Sequence, residues 1–257
     1  MQIITDSKEY WDECGNAITG KFKLINSKII FSGKNSIVFF DDVTVNNCTI
    51  FVRNSNSLLF VEKNKLSNIY QFVISENCNC IIRQGLTNGR MSIRVGEGNI
   101  IIGKDCMFSQ DIYIQNHDGH PIYDIQTGNL LNPGKSIIIG DHVWLGESVS
   151  VMKGAQLGSG LVVGSKSFLS NKTYAHNTIY AGIPARPLKS NVFWKRLGLH
   201  VAPMNKRQEM LTDNSRDFIF NEQSLTYYRE LDKLITNIAT PADRLKFIKE
   251  YLKSNSQ

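Results

Sequence analysis

The stretch Ile139 to Arg186, cut into sixes, reads IGDHVW, LGESVS, VMKGAQ, LGSGLV, VGSKSF, LSNKTY, AHNTIY, AGIPAR. The first place is always aliphatic or alanine: Ile139, Leu145, Val151, Leu157, Val163, Leu169, Ala175, Ala181. The second is glycine in five of the eight: Gly140, Gly146, Gly158, Gly164 and Gly182. The fifth, from Val143 through Val149 and Ala155 to Ala185, is small or β-branched in all but Leu161. Neither the helical period nor strict alternation yields a repeat of six. A strand coil with flat faces and regular corners does, because each face buries one aliphatic residue and turns at a small one. The stretch therefore predicts a β-helix.

Upstream, from Asn26, a looser repeat opens at Asn35-Ser36-Ile37-Val38, Asn56-Ser57-Leu58-Leu59, Asn79-Cys80-Ile81-Ile82 and Gly98-Asn99-Ile100-Ile101. The openings lie 21, 23 and 19 residues apart, which predicts wider coils of the same solenoid. Asparagine suits the corners because it tolerates the left-handed backbone conformation. The repeat breaks once, over residues 117–133, and resumes at Gly134. An excursion of that length from a regular solenoid is where function concentrates. Residues 1–25 read as an N-terminal cap, with a short capped helix over Asp6–Gly15 covering the open sheet edge. Residues 26–188 form the β-helix domain. Residues 189–257 are a basic segment (Lys189, Lys195, Arg196, His200, Lys206, Arg207) followed by a helical extension. In that extension Leu225, Tyr228, Leu231, Leu234, Ile235 and Ile238 recur at helical spacing. A second helix starts at Thr240-Pro241. It is expected to pack on the solenoid or on a neighbouring subunit.

Composition bounds the function. No apolar run reaches the ~20 residues that span a bilayer, and the N-terminus lacks the order of a signal peptide, so a cytoplasmic protein is expected, at most peripheral to the inner membrane. Five cysteines without zinc spacing read as small hydrophobes, three of them (Cys48, Cys80, Cys106) at buried repeat positions. A net charge of +6 points to an anionic partner. The cations are not interleaved with aromatics, which argues against nucleic acid.

The runs His117-Asp118-Gly119-His120-Pro121-Ile122-Tyr123-Asp124 and Ile139-Gly140-Asp141-His142-Val143-Trp144-Leu145-Gly146 carry a more specific likeness. The chain resembles the left-handed β-helix acyltransferases and, more narrowly, the O-acetyltransferases of bacterial surface polysaccharides, nearest the polysialic acid O-acetyltransferases. The likeness covers roughly residues 98–188. It implies acetyl-CoA as donor, a sugar hydroxyl of a capsule or similar acidic glycan as acceptor, and a homotrimer with its sites between subunits. His120 and Trp144 match the family's paired catalytic positions. Trp144, Gly146, Gly164, Ser165 and Ala181 fall where coenzyme A lies in the resembling family, and Lys166 and Arg186 are placed to neutralise its phosphates. Ala181-Gly182-Ile183-Pro184-Ala185-Arg186 matches the closing motif, which often carries Asn at the third place and Lys at the sixth.

The chemistry agrees with the residues. Acetyl transfer to an alcohol needs a base for the hydroxyl proton, and a histidine with pKa about 6.5 supplies it with neither metal nor covalent intermediate. His120 is the expected base, with His117 the runner-up, and Asp118 or Asp124 orients it. The Trp144 indole N–H is a candidate donor to the developing oxyanion. His142 and His176 read as surface residues. Three other readings stand beside this one. An acetyltransferase for a small acceptor, a nucleotide-linked amino sugar or serine, uses the same site. A metal-dependent hydratase requires His117, His120 and His142 to converge. A glycan-binding structural solenoid has no use for the excursion.

Overall fold

The computed structural model describes residues 1–198, 203–215 and 217–254. His200 of the basic segment and the last three residues of the extension lie outside the described residues. The chain winds through three parallel sheets. Face A includes Met91–Val95, Ile112–Gln115, Ser150–Met152 and Phe168–Leu169; face B includes Leu58–Val61, Asn79–Ile82, Asn99–Ile102, Ile137–Ile139 and Gln156–Leu157; face C includes Met107–Phe108, Trp144–Leu145, Val162–Val163 and Thr178–Gly182. From Ile69 on each coil visits A, B and C in turn; upstream, the long strands Ala17–Ile25 and Ile37–Asn46 take the place of separate B and C strands. This is the expected parallel β-helix, and it fits the left-handed form.

Inward side chains stack coil on coil. Leu59, Cys80, Ile100 and Ile137 pair one above another on face B, and Ile114, Val151 and Leu169 do so on face A. All seven are buried. Burying one such aliphatic side chain contributes about 1.5–3 kcal/mol, so a continuous column stabilises every coil it crosses. Cys48, Cys78, Cys80 and Cys106 are buried free thiols.

Three expectations are corrected. The hexad frame slips near Asn171: Leu157 pairs with Tyr174 and Val163 with Tyr180, seventeen residues on rather than eighteen. Tyr174 and Tyr180 therefore enter the core, while Thr173 and Ala175 are exposed. The upstream corners are Asn35, Asn56, Asn77 and Gly98, with φ of 54°, 62°, 55° and 76°. Their spacing is a steady 21 residues, and Asn56 Nδ2 donates to Asn77 Oδ1 at 2.7 Å. Asn79 is no corner; it is buried in the face B strand and donates to Asn99 Oδ1.

Residues 6–15 form no helix. Tyr10–Trp11 pairs antiparallel with Ala17–Ile18, and Gln2–Ile4 with Ile29–Phe31. The Asp12 carboxylate accepts the Asn16 backbone N–H (2.9 Å) and Nδ2 (3.0 Å), closing a turn at Gly15, whose φ is 77°. That side chain offers the backbone a local alternative to helix. Strands of the chain itself, rather than a helix, cover the first coil's edge.

Among the described residues, three helices follow the solenoid: α1 (Met204–Glu209), α2 (Glu222–Thr236) and α3 (Pro241–Ser254). Leu225, Leu231, Ile235, Ile248 and Leu252 pack on Leu58, Phe60, Ile81, Ile101 and Ile138, the outward residues of face B. That covering explains why face B strands are apolar throughout instead of alternating. Among the described residues, no helix is long and apolar enough to cross a membrane.

Candidate active site

The excursion leaves at the corner between faces A and B. Asn116, fully buried, anchors its start: Oδ1 accepts the Gly96 N–H (2.7 Å), and the Asn116 carbonyl accepts the Lys135 N–H (3.1 Å), so the loop's ends meet. The tip is an ordered hairpin. Asp124 Oδ1 accepts from Gln126 N (3.0 Å), Thr127 N (2.7 Å) and Thr127 Oγ1 (2.9 Å). Asp124 is thus consumed by the turn and does not orient a histidine.

At the base of the loop, Glu97, His117, Asp118, His120, Leu130 and Asn132 line a cleft of about 130 Å³. His120 is exposed, and among the described residues its ring has no hydrogen-bond partner; its carbonyl accepts from Asn132 Nδ2 at 2.9 Å. The same amide donates to Asp118 Oδ2 (2.9 Å), and Asn132 Oδ1 accepts the Ile122 N–H (2.7 Å). Lys153, one coil further on, donates to Asp118 and to the Asn132 carbonyl. Asp118 therefore shares the cleft with His120 but bonds to Lys153 and Asn132. Those two donors hold its carboxyl below the usual carboxylate range. Asn132 and Lys153 brace the loop and were not singled out from sequence; the Asn-Pro pair at the loop exit was the available signal.

His117 is half-buried, and burial pushes its pKa below the ordinary histidine value, against the opposing pull of Glu97. The neutral ring is the form the fold favours, so its contribution to stability is present above pH about 6.5 and is lost as pH falls through the depressed value. The ring lies flat on Gly96, where an added Cβ would come 2.2 Å from His117 Cδ2. Gly96→Ala is accordingly expected to dislodge the ring. Histidine resonances followed by NMR should show His117 titrating below 6.5 in the native protein and nearer that value in the variant. Identical titrations in both would contradict this packing.

The positions assigned to coenzyme A form a separate group. Trp144 lies on face C, 36% exposed, paired with Met107 and Val162. Gly146 and Gly164, each just past its strand, stack in one column with Ala181 of Thr178–Gly182. Cβ atoms there would meet the next coil, 2.8 Å from Ser165 N at Gly146 and 2.9 Å from Ala181 Cβ at Gly164. Coil stacking alone thus requires these glycines. Ser165 and Lys166 are exposed at the following corner, Lys166 with φ 58°, and Arg186 is exposed on the antiparallel closing strand Ala185–Ser190. Face C is opposite the A–B corner, so one chain does not bring His120 and Trp144 together.

His142 is the second correction to the site. It is 2% exposed, not a surface residue, because the segment after the solenoid folds back over it. It occupies the B–C corner, so His117, His120 and His142 do not converge. His176 is half-buried.

A β-helix broken by a braced histidine loop defines a class, and the comparisons with known proteins agree on it. The polysialic acid O-acetyltransferase of Neisseria meningitidis is 41% identical over 172 residues, 66% of this chain and 80% of that protein. The enzyme of the same name from Escherichia coli O1:K1 / APEC is 38% identical over 118 residues, 46% of this chain and 36% of that protein. The crystal structure of the polysialic acid O-acetyltransferase OatWY superposes with a TM-score of 0.60 at 31% identity, covering 78% of this chain and 100% of that one. The polySia specific acetyltransferase NeuO gives the same score at 29% identity, covering 86% and 89%. No protein-family model matches. The protein is an acyltransferase built on a parallel β-helix. The chain belongs to the polysialic acid O-acetyltransferase family.

Proposed function

We propose that the protein transfers the acetyl group of acetyl-CoA to a hydroxyl of a bacterial capsular polysaccharide, an acidic glycan such as one containing sialic acid. His120 removes the hydroxyl proton as the acceptor oxygen bonds to the carbonyl carbon. The Trp144 ring packs against the bound donor, and its N–H donates to the oxygen on which charge develops. As the carbon–sulfur bond breaks, His120 returns its proton to the departing thiolate, which balances the step without a covalent enzyme intermediate. Asp118, Asn132 and Lys153 hold the loop that carries the base. Lys166 and Arg186 pair with the donor's phosphates where Gly146, Gly164, Ser165 and Ala181 leave the backbone approachable.

The observation that carries this reading is the unpartnered His120 ring at the mouth of the braced cleft. The net charge of +6 supports an acidic acceptor. Two features support a homotrimer with sites between copies. His120 and Trp144 lie on opposite sides of the prism, and the ordered hairpin exposes Ile122, Tyr123, Ile125, Leu130 and Leu131. Use of acetyl-CoA fits action in the cytoplasm. The test supplies labelled acetyl-CoA and a panel of acidic and neutral polysaccharides. Label should enter acidic polymers, increasingly with chain length and less at high salt. Label entering only monomeric amino sugars, indifferent to salt, would move the acceptor to the small-molecule class.

A further inference from the structure

The segment after the closing strand descends the B–C corner as a strap fixed at both ends. At one end the Val192 N–H donates to the Asn177 carbonyl (2.9 Å). At the other, Arg196 forks onto Asp105 Oδ1 (2.8 Å), Thr87 Oγ1 (2.7 Å) and the Cys106 carbonyl (2.9 Å). Between these anchors Trp194 and His142 grip each other twice. Trp194 Nε1–H donates to the His142 carbonyl (3.0 Å), and His142 Nε2–H donates to the Trp194 carbonyl (2.9 Å). Asp105 Oδ2 lies 2.5 Å from the remaining ring nitrogen.

The His142 ring is sandwiched. Trp194 stacks on one side and Phe218 on the other, each with ring centres 3.9 Å away and planes within 13° and 5°. The other side of Trp194 meets Trp144, centres 5.8 Å apart and planes tilted by 49°. Trp194 is thus bonded to the backbone two residues before Trp144 and also touches its ring. Phe218 shares the stack, and no ring contact joins it to Trp144.

We propose that Trp194 is a positioning residue for acetyl transfer: through the strap it fixes the rotamer of the Trp144 indole before the acyl donor binds. The inference rests on the role given to Trp144 above. An indole on the outer side of a two-residue strand has several staggered rotamers open to it. A neighbour that selects one in advance removes the entropy cost of ordering it on binding. The strap then belongs to the donor site although it supplies no group to the reacting atoms.

Four full-length variants test this: Trp194→Leu, Trp194→Phe, Phe218→Leu and Trp144→Ala. Trp194→Phe keeps an aromatic stack on His142, so it reports even if the leucine variant does not fold. Both Trp194 variants should raise KM for acetyl-CoA about tenfold, the effect of freeing one large side chain. The exciton signal of the Trp144–Trp194 pair in circular dichroism should vanish in the Trp194 variants and in Trp144→Ala. Phe218→Leu should lower Tm with KM and the exciton signal unchanged. Trp194 variants that resemble Phe218→Leu, less stable but with normal KM, would overturn the inference while Trp144→Ala remains impaired. Unimpaired transfer by Trp144→Ala would instead remove the reading on which it rests.

Discussion

His120→Ala should lower acetyl transfer by about 10²–10⁴-fold, the usual worth of a positioned general base. Its Tm should match that of the native protein. The ring is exposed and makes no hydrogen bond among the described residues, so its removal costs the fold nothing that the structure records. His117→Ala is the informative contrast. Its half-buried ring covers Gly96, so its loss should lower Tm and leave transfer within about tenfold of native. Initial rates and melting curves on the two variants decide between them. The opposite pattern, an inactive His117→Ala and an active His120→Ala, would move the base three residues back without changing the class of enzyme.

The largest expected effect on stability is at Arg244, far from the loop. Its guanidinium, 4% exposed, donates to the carbonyls of Ile238 (2.8 Å), Ala239 (2.9 Å) and Asn56 (2.8 Å) and to Asn79 Oδ1 (3.2 Å). It ties the α2–α3 turn to two coils of the solenoid. Arg244→Ala takes the donor from four acceptors, of which Asn79 Oδ1 is on a buried residue; leaving that acceptor unsatisfied costs about 1–3 kcal/mol, and the lost packing of the buried Arg244 side chain adds to it. A loss on the order of 2–3 kcal/mol follows, read as a lower denaturation midpoint. Face B would then expose Ile81, Ile101 and Ile138, so increased binding of a hydrophobic dye should accompany the loss. An unfolding free energy within about 0.5 kcal/mol of native, the range of a substitution that disturbs nothing, would contradict the anchoring role.

The solenoid was legible because each hexad from Ile139 to Leu169 repeats the same local demand, an aliphatic side chain inward and a small residue at the turn. The slip near Asn171 was not. Removing one residue from a coil changes which side chain faces inward, and tyrosine at 174 and 180 looked no more apolar than its neighbours. The upstream corners were legible as asparagine-rich. Their register was not, since Asn77 and Asn79 both suited a corner and only pairing with the adjacent coil separates them. Tyr10–Trp11 read as part of a capped helix because its acids and the Gly15 stop suit a helix as well as a turn; the Asp12 bonds to Asn16 make it the first arm of an antiparallel pair with Ala17–Ile18.

In the candidate site the break at residues 117–133 was visible, and with it His117, Asp118 and His120. The braces were not, because Lys153, and Glu97, which accepts the Gly134 N–H, reach the loop from coils above and below it. His142 looked solvent-facing at its corner, and it points away from the solenoid axis as that reading required. Trp194, 52 residues on, buries it. A covering segment distant in sequence leaves no mark on the residue it covers. The unbroken apolar runs Leu58–Val61, Ile100–Ile102 and Ile137–Ile139 did carry the mark of α2 and α3, for a strand buried on both faces has no polar side to show.

Complementation between two defective copies tests the account most directly. His120→Ala and Trp144→Ala proteins, each inactive alone, are co-expressed with different affinity tags and the doubly tagged oligomer is isolated. If each site takes its imidazole from one copy and its indole from the next, every mixed trimer holds one intact site of its three, and about a third of native activity returns. Verified mixed oligomers that stay inactive would show that His120 and Trp144 of different copies do not make a site together.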